Sequence, residues 1–136
     1  MDKKNILILL IITALLVFLS VSIFYEPPGI KGIIVSDNLD DYDRYRSIAI
    51  PAFQKKSEEI FIILEAVNLS RKDFIDIIIN MSDDIYQESQ ISVENDGSSI
   101  IKLSLLKKGD SFINGDYEAE VFLNEESVGK ARFRID

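Results

Sequence analysis

The residues best suited to chemistry in this chain are four aspartates in one polar loop: Asp37, Asp40, Asp41 and Asp43. Carboxylate oxygens are the ligands that calcium and other hard cations prefer. An EF-hand loop starting at Asp37 would need glycine at its sixth position and glutamate at its twelfth, and the chain has neither. We therefore predict a solvated acidic loop with no metal site. An ion- or small-molecule-binding module using residues 37–43 is the alternative.

Two asparagines stand in sequons that can accept an N-linked glycan. Asn68 precedes Leu69 and Ser70, and Asn80 precedes Met81 and Ser82. Both fall at the ends of predicted strands, where a glycan would reach solvent. Asn68 and Asn80 are therefore the candidate modification sites.

The chain has no histidine, no cysteine and no tryptophan. Their absence excludes Ser-His-Asp and Cys-His catalysis, the usual zinc sites and iron–sulfur ligation. Carboxylates remain, but a glycosidase needs two of them facing each other across a cleft, and a domain this small leaves little room for one. We predict that the protein is not an enzyme and has neither catalytic residues nor a cofactor.

The charge of the chain bears on its partners. Its net charge is −8 at pH 7. Phosphate backbones and anionic headgroups repel such a domain, so we predict no nucleic-acid partner.

Two apolar stretches, 60–69 and 74–81, carry a candidate partner surface. A buried acid is costly, so the strand faces that hold Glu65 and Asp76 should look outward. These faces also carry four large apolar side chains: Phe61, Ile63, Phe74 and Ile78. Exposed apolar patches mark interaction sites, so these four residues are the candidate surface for an unknown protein partner or for self-association. The interpretation that we favour is that the segment from Ile30 to Phe53 covers these side chains.

The element that must position this domain is the apolar run at residues 6–25, which follows Lys3 and Lys4. A helix of that length spans about 30 Å, the thickness of a bilayer core. The positive-inside bias predicts a single-pass anchor with a cytoplasmic N-terminus and an extracytoplasmic domain. Secretion after cleavage near Ser20-Val21-Ser22 is the alternative. We divide the chain into a membrane anchor (1–25), a short Pro-rich stalk (26–29) and a β-domain (30–136).

Strands are predicted by alternation and by runs of β-branched residues. They cover 31–36, a short segment at 48–53, 60–69, 74–81, 85–94 and 98–106, with two more in a closing hairpin. The turn Asn95-Asp96-Gly97 predicts that the strands at 85–94 and 98–106 form a hairpin. A continuous helix from Glu58 to Ile79 is the alternative for the central pair.

The closing hairpin is predicted in register as well as in position. A five-residue loop, 124–128, sets Ala119 beside Phe133 and Tyr117 beside Ile135. The same register pairs two acids with two arginines on the opposite face: Glu120 with Arg132, and Glu118 with Arg134. Slipping by one residue would turn the acids toward the core.

This hairpin resembles the closing hairpin of immunoglobulin-like domains on prokaryotic surface proteins. The resemblance rests on Asn114 to Val121, Leu123-Asn124, Val128-Gly129 and Phe133 to Ile135, which are similar to G-x-Y-x-V-x-V, an Asn turn, V-G and F-x-V. Tyr117 stands where such folds often place a tyrosine corner. The cysteine pair and core tryptophan of antibody domains are missing.

The resemblance implies an all-β fold, an immunoglobulin-like antiparallel β-sandwich of about seven strands, preceded here by one N-terminal transmembrane helix. The function we expect is that of a single-pass, membrane-anchored, extracytoplasmic module for protein or cell-envelope interaction.

Overall fold

The computed structural model describes residues 2–136, beginning with one long helix, α1 (Lys3–Phe24). Its apolar side chains surround the helix on every side, and no residue of it is buried. By length and composition, α1 can cross a membrane. It ends just before the stalk prolines, Pro27 and Pro28, whose rings prevent a helix from continuing.

The rest of the described chain is mostly β-structure, in eight strands: β1 (Gly29–Ser36), β2 (Ala52–Phe53), β3 (Phe61–Leu69), β4 (Phe74–Met81), β5 (Asp84–Ser92), β6 (Gly97–Ser104), β7 (Gly115–Leu123) and β8 (Glu126–Ile135). A 3-10 turn, Tyr42–Tyr45, lies between β1 and β2. The strands form a three-stranded sheet in the order β1-β3-β6 and a five-stranded sheet in the order β2-β8-β7-β4-β5. The predicted β-structure and the N-terminal apolar helix are thus confirmed.

The hydrophobic core lies between the two sheets. The three-stranded sheet contributes Ile62 and Leu64 of β3. The five-stranded sheet contributes alternate residues of β4, β7 and β8: Ile75, Ile77, Ile79, Tyr117, Ala119, Val121, Phe133 and Ile135. Period-two alternation puts these side chains on one face of each strand, which is why the helical alternative for 58–79 does not form.

The predicted hairpin at Asn95-Asp96-Gly97 is wrong. β5 is an edge strand of the five-stranded sheet and β6 an edge strand of the other, so this segment crosses between sheets. β5 instead forms a hairpin with β4, where Met81 pairs with Asp84 across a turn that holds Ser82 at a φ of 57°. A local Asp-Gly signal specifies a bend and leaves open which strands will pair.

The closing hairpin has the predicted faces and a different register. Tyr117 pairs with Phe133, and Glu118 with Arg132, so the strands are displaced by two residues from the prediction. The loop is a tight turn with Asn124 and Glu125 at positive φ, followed by an irregularity where Val121 pairs with Gly129. A displacement of two residues keeps each side chain on its face, so the alternation of the sequence fits either register.

The sheets are not wholly antiparallel, because β2 pairs with β8 in parallel. The predicted segment 48–53 is thus an edge element, shortened to two residues. Beside it, β8 lies close to β1: a Cβ on Gly129 would stand 2.9 Å from Cδ1 of Ile33. A larger residue at that position would require the end of the Ile33 side chain to shift.

Candidate interaction surface

The acidic loop binds arginines of its own chain. Asp37 lies 3.2 Å from Arg44, and Asp41 lies 3.8 Å from it. Asp43 pairs with Arg46 at 2.7 Å. Within residues 2–136, no three acidic side chains come together as a group that could hold a metal ion. Three of the four loop carboxylates thus turn toward guanidinium groups, and no observation favours the alternative ion-binding function.

The same loop covers half of the predicted partner surface. Phe61 is 7% exposed and Ile63 is fully buried, and with Ile34 they form a second small cluster. Leu39, Tyr42 and Tyr45 pack onto it from the loop. The segment 30–53 thus covers Phe61 and Ile63, as the favoured interpretation expected, and the candidate partner surface is wrong at these two positions.

Glu65 shows how one strand face can carry both an acid and buried apolar groups. Its side chain bonds to the Arg46 guanidinium, which holds the pKa of the carboxyl below its usual range. Since the arginine satisfies the acid at the rim, Phe61 and Ile63 can be buried farther along the same face. An acidic residue on a strand therefore indicates exposure only at its own position, and other residues on the same face of that strand can be buried.

The other half of the prediction lies on the outer face of the five-stranded sheet. We define the outer face by the side chains directed away from the core: Phe74, Asp76, Ile78 and Asn80 of β4; Glu118, Glu120 and Phe122 of β7; Lys130, Arg132 and Arg134 of β8; Ile85, Glu88 and Gln90 of β5. Phe74, Ile78 and Phe122 are half-buried and lie outside the core cluster. No segment of the described chain covers them as the loop covers Phe61.

Charge is distributed unevenly across the outer face. One row across the sheet reads Glu88, Ile78, Glu120 and Lys130, because these residues pair in turn across four strands. The next row reads Ile85, Asn80, Glu118 and Arg132. The β8 margin is therefore basic. The β5 margin carries Glu88, which is exposed and makes no ion pair within residues 2–136.

Ion pairs hold the β7 acids against the β8 bases. The Glu118 carboxylate lies 2.9 Å from Arg132 and 3.2 Å from Lys130. Arg132, and then Lys130, lower the pKa of Glu118, while Glu118 raises the pKa of Lys130. Lys130 keeps half of its side chain exposed, so it can still contact a second charge.

A hollow of about 460 Å³ lies at the end of the outer face away from the stalk. Its lining combines outer-face residues with core residues at the end of the sheet: Ile50, Asn80, Ser82, Asp116, Tyr117, Glu118, Arg132 and Phe133. Ile50 is 56% exposed, and across the sheet from it Ile85 is 60% exposed. The outer face thus has one apolar projection at its β5 margin and one partly apolar hollow toward its β8 margin.

The two sequon asparagines differ in their surroundings. Asn68 is exposed, has a φ of 51°, and donates a side-chain hydrogen bond to the Glu26 carbonyl at the stalk. Asn80 is half-buried on the outer face, beside Glu118. A glycan on Asn80 would occupy the outer face, whereas one on Asn68 would stand near the stalk.

Two buried side chains of β5, Gln87 and Tyr86, form hydrogen bonds across the gap between the β5 edge of one sheet and the β6 edge of the other. Gln87 accepts a hydrogen bond from the Leu106 amide at 2.8 Å and donates one to the Ser104 carbonyl at 3.1 Å. The Tyr86 hydroxyl donates to the Leu106 carbonyl. Sequence reasoning missed both residues. The register of β4 against β5 shifts here, because Ile79 pairs with Gln87 and Asn80 with Ile85. A polar residue that interrupts the alternation at this shift is the signal that could have revealed them.

Tyr117 ties β7 to the segment before it. It is 2% exposed, and its hydroxyl donates to the Ile113 carbonyl at 2.6 Å. Burial, together with the neighbouring Tyr86, raises the pKa of Tyr117 to about 12. The hydroxyl is therefore kept protonated as a donor.

No protein-family model and no curated protein matches the sequence. Among solved structures, the chain is similar to the Pseudomonas fluorescens alkylpurine DNA glycosylase AlkC bound to DNA containing an abasic site analog. The identity is 13%, the TM-score is 0.48, and the likeness covers 82% of this chain and 31% of the glycosylase chain.

That neighbour is an enzyme on DNA, whereas the sequence predicted neither an enzyme nor a nucleic-acid partner, and both of these exclusions were drawn too broadly. The absence of histidine and cysteine removes particular nucleophiles and metal ligands and leaves carboxylate chemistry available. Likewise, a net negative charge describes the whole surface and leaves room for a local basic margin such as that of β8. At this TM-score, the likeness assigns no activity or partner to the chain.

Proposed function

We propose that this protein is a single-pass, membrane-anchored, extracytoplasmic β-sandwich module that contacts another protein through its outer face. The observation that carries the proposal is the pairing of a fully exposed apolar helix, α1, with a compact β-domain that leaves one sheet face uncovered. A helix that is apolar on all sides is stable in lipid and costly in water.

An immunoglobulin-like arrangement of the domain is part of the proposal. Two features support it. In the sheet orders β1-β3-β6 and β2-β8-β7-β4-β5, β3 pairs with β6 and β4 pairs with β7, so the chain crosses between the two sheets before it returns to a neighbouring strand, as in Greek-key connections. The Tyr117 hydroxyl bonds to a backbone carbonyl a few residues upstream, as in a tyrosine corner.

Orientation rests on the charges that flank the helix. Lys3 and Lys4 precede the apolar run, and Glu26 follows it. The positive-inside bias keeps the lysines in the cytoplasm and places residues 26–136 outside.

Protease added to intact cells tests the topology. The domain should be digested while a short N-terminal fragment stays in the membrane. A domain protected until the cells are lysed would contradict the orientation. Mature protein that begins at Ile23 would establish cleavage and secretion instead.

The Phe74→Ser variant tests the contact surface. Because Phe74 lies outside the core, association should be lost while the melting temperature of the domain changes little. The matched control is Phe61→Ser, which should unfold the domain because Phe61 is buried. If Phe74→Ser also unfolds the domain, the outer face is structural and this support for a protein partner disappears.

A further inference from the structure

We infer that the partner of the outer face is a second copy of this chain, docked about a two-fold axis that runs parallel to the strands. The inference deepens the proposed function and depends on its extracytoplasmic contact surface. Three observations carry it: the uneven charge across the outer face, the projection and hollow at its two margins, and the position of the stalk.

The charge distribution selects the direction of the axis. With the axis parallel to the strands and between β4 and β7, each copy sets its β8 margin over the β5 margin of the other. Lys130 then faces Glu88 of the second copy, since both lie in one row across the sheet. An axis across the strands would instead set Lys130, Arg132 and Arg134 against the same residues of the second copy, which costs energy.

The shape of the outer face, with Ile85 projecting at one margin and the hollow at the other, agrees with the same axis. Ile85 and Arg132 also share one row, so Ile85 of each copy meets the hollow region near Arg132 and Ile50 of the other. This buries an isoleucine that is 60% exposed in the single chain. Packed sheets cross at about 30°, which displaces the margins by about one residue, within reach of a lysine side chain.

The stalk position agrees as well. Gly29 opens β1 at one end of the domain, where it pairs with Val67. An axis parallel to the strands leaves both stalks at the same end, so both α1 helices can enter one bilayer. The contact area is small, since four strands span about 19 Å. We therefore expect dimers mainly in the membrane, where shared anchoring raises the effective concentration.

Single-cysteine crosslinking of the full chain in lipid vesicles tests the dimer. The natural chain has no cysteine, so it contributes no background. Ile78→Cys, near the proposed axis, should give a covalent dimer with a short bis-maleimide. Lys102→Cys is the matched control, because Lys102 is exposed on the other sheet, opposite Ile63. Equal crosslinking at the two positions would overturn the inference.

Charge reversal in the Ile78→Cys background tests the orientation. Glu88→Lys should lower the crosslinked fraction about three- to tenfold, because two exposed attractions in each dimer become repulsions. Adding Lys130→Glu should restore it. Glu94→Lys, an exposed reversal beyond the end of β5, should change little. No effect of Glu88→Lys, or an equal effect of Glu94→Lys, would overturn the proposed axis even if the double variant failed to fold.

Failure here is separable from failure of the proposed function. If the chain stays monomeric in vesicles, a second copy is not the partner, and the protease result for the topology still stands. If the domain is found on the cytoplasmic side, the proposed function is contradicted, whatever the crosslinking result.

Discussion

Replacing Tyr117 by phenylalanine removes one hydroxyl and almost nothing else. The ring stacks on Phe133, with centroids 5.0 Å apart and planes at 11°, and meets Tyr86 edge-on at 5.3 Å. Phenylalanine preserves both contacts. The substitution therefore isolates the hydrogen bond to the Ile113 carbonyl.

The expected cost follows from what the hydroxyl leaves behind. A net hydrogen bond contributes about 1 kcal/mol, and an unpaired buried acceptor costs about 1–3 kcal/mol. Because Ile113 lies at the surface, water can reach part of its carbonyl, and we expect about 1–2 kcal/mol in total. For a domain of this size that corresponds to a fall in melting temperature of roughly 4–15 °C.

Thermal unfolding of the full chain in detergent, followed by circular dichroism, measures this difference. Tyr42→Phe is the matched control: Tyr42 is half-buried, its hydroxyl makes no hydrogen bond within residues 2–136, and its loss should cost less than about 0.5 kcal/mol. If the two variants melt together, the Tyr117 bond does not brace the fold, and its support for an immunoglobulin-like arrangement is lost.

Three further predictions concern the core, the gap between the β5 and β6 edges, and pH. Phe133→Ala should destabilise the domain by about 3–5 kcal/mol and Arg132→Ala by less than 1 kcal/mol in urea titrations; equal costs would mean that the faces are misassigned. Gln87→Leu should cost about 1–3 kcal/mol, because it leaves the backbone groups of Ser104 and Leu106 unpaired, and hydrogen exchange should accelerate at the Leu106 amide; unchanged exchange would contradict this. Since burial raises the pKa of Tyr117 to about 12 from an unfolded value near 10, its contribution is complete below pH 10 and is lost as the pH rises through about 12; Tyr117→Phe should therefore show a shallower alkaline loss of stability than the natural chain.

Several elements followed from local pattern alone. A run of β-branched residues predicted β4 at Phe74–Met81. Alternation predicted the buried faces of β7 and β8, because a strand must direct every second side chain to the core. The apolar run predicted α1 within a few residues, since length and composition are enough to specify a helix that suits lipid.

Other features did not follow from alternation. The register of β7 against β8 differs by two residues from the prediction because the tight turn at Asn124 and the irregularity near Gly129 shorten the loop. The burial of Phe61 depends on a loop from another part of the chain, which packs onto it and is bonded to β3 through Arg46 and Glu65. The first feature depends on turn geometry, and the second on a contact between segments that are distant in the chain.

The sequence by itself determined the apolar N-terminal helix, the strand character of the domain and the inward face of most strands, because each depends on residues close together in the chain. Only the tertiary structure decided which strands pair, which apolar face stays uncovered, and how acids and bases line up across the outer face. Those outcomes depend on residues that become neighbours only after the chain has folded, such as Ile78 of β4 and Glu120 of β7. Period-two alternation places a side chain on a face and leaves its neighbour across the sheet undetermined.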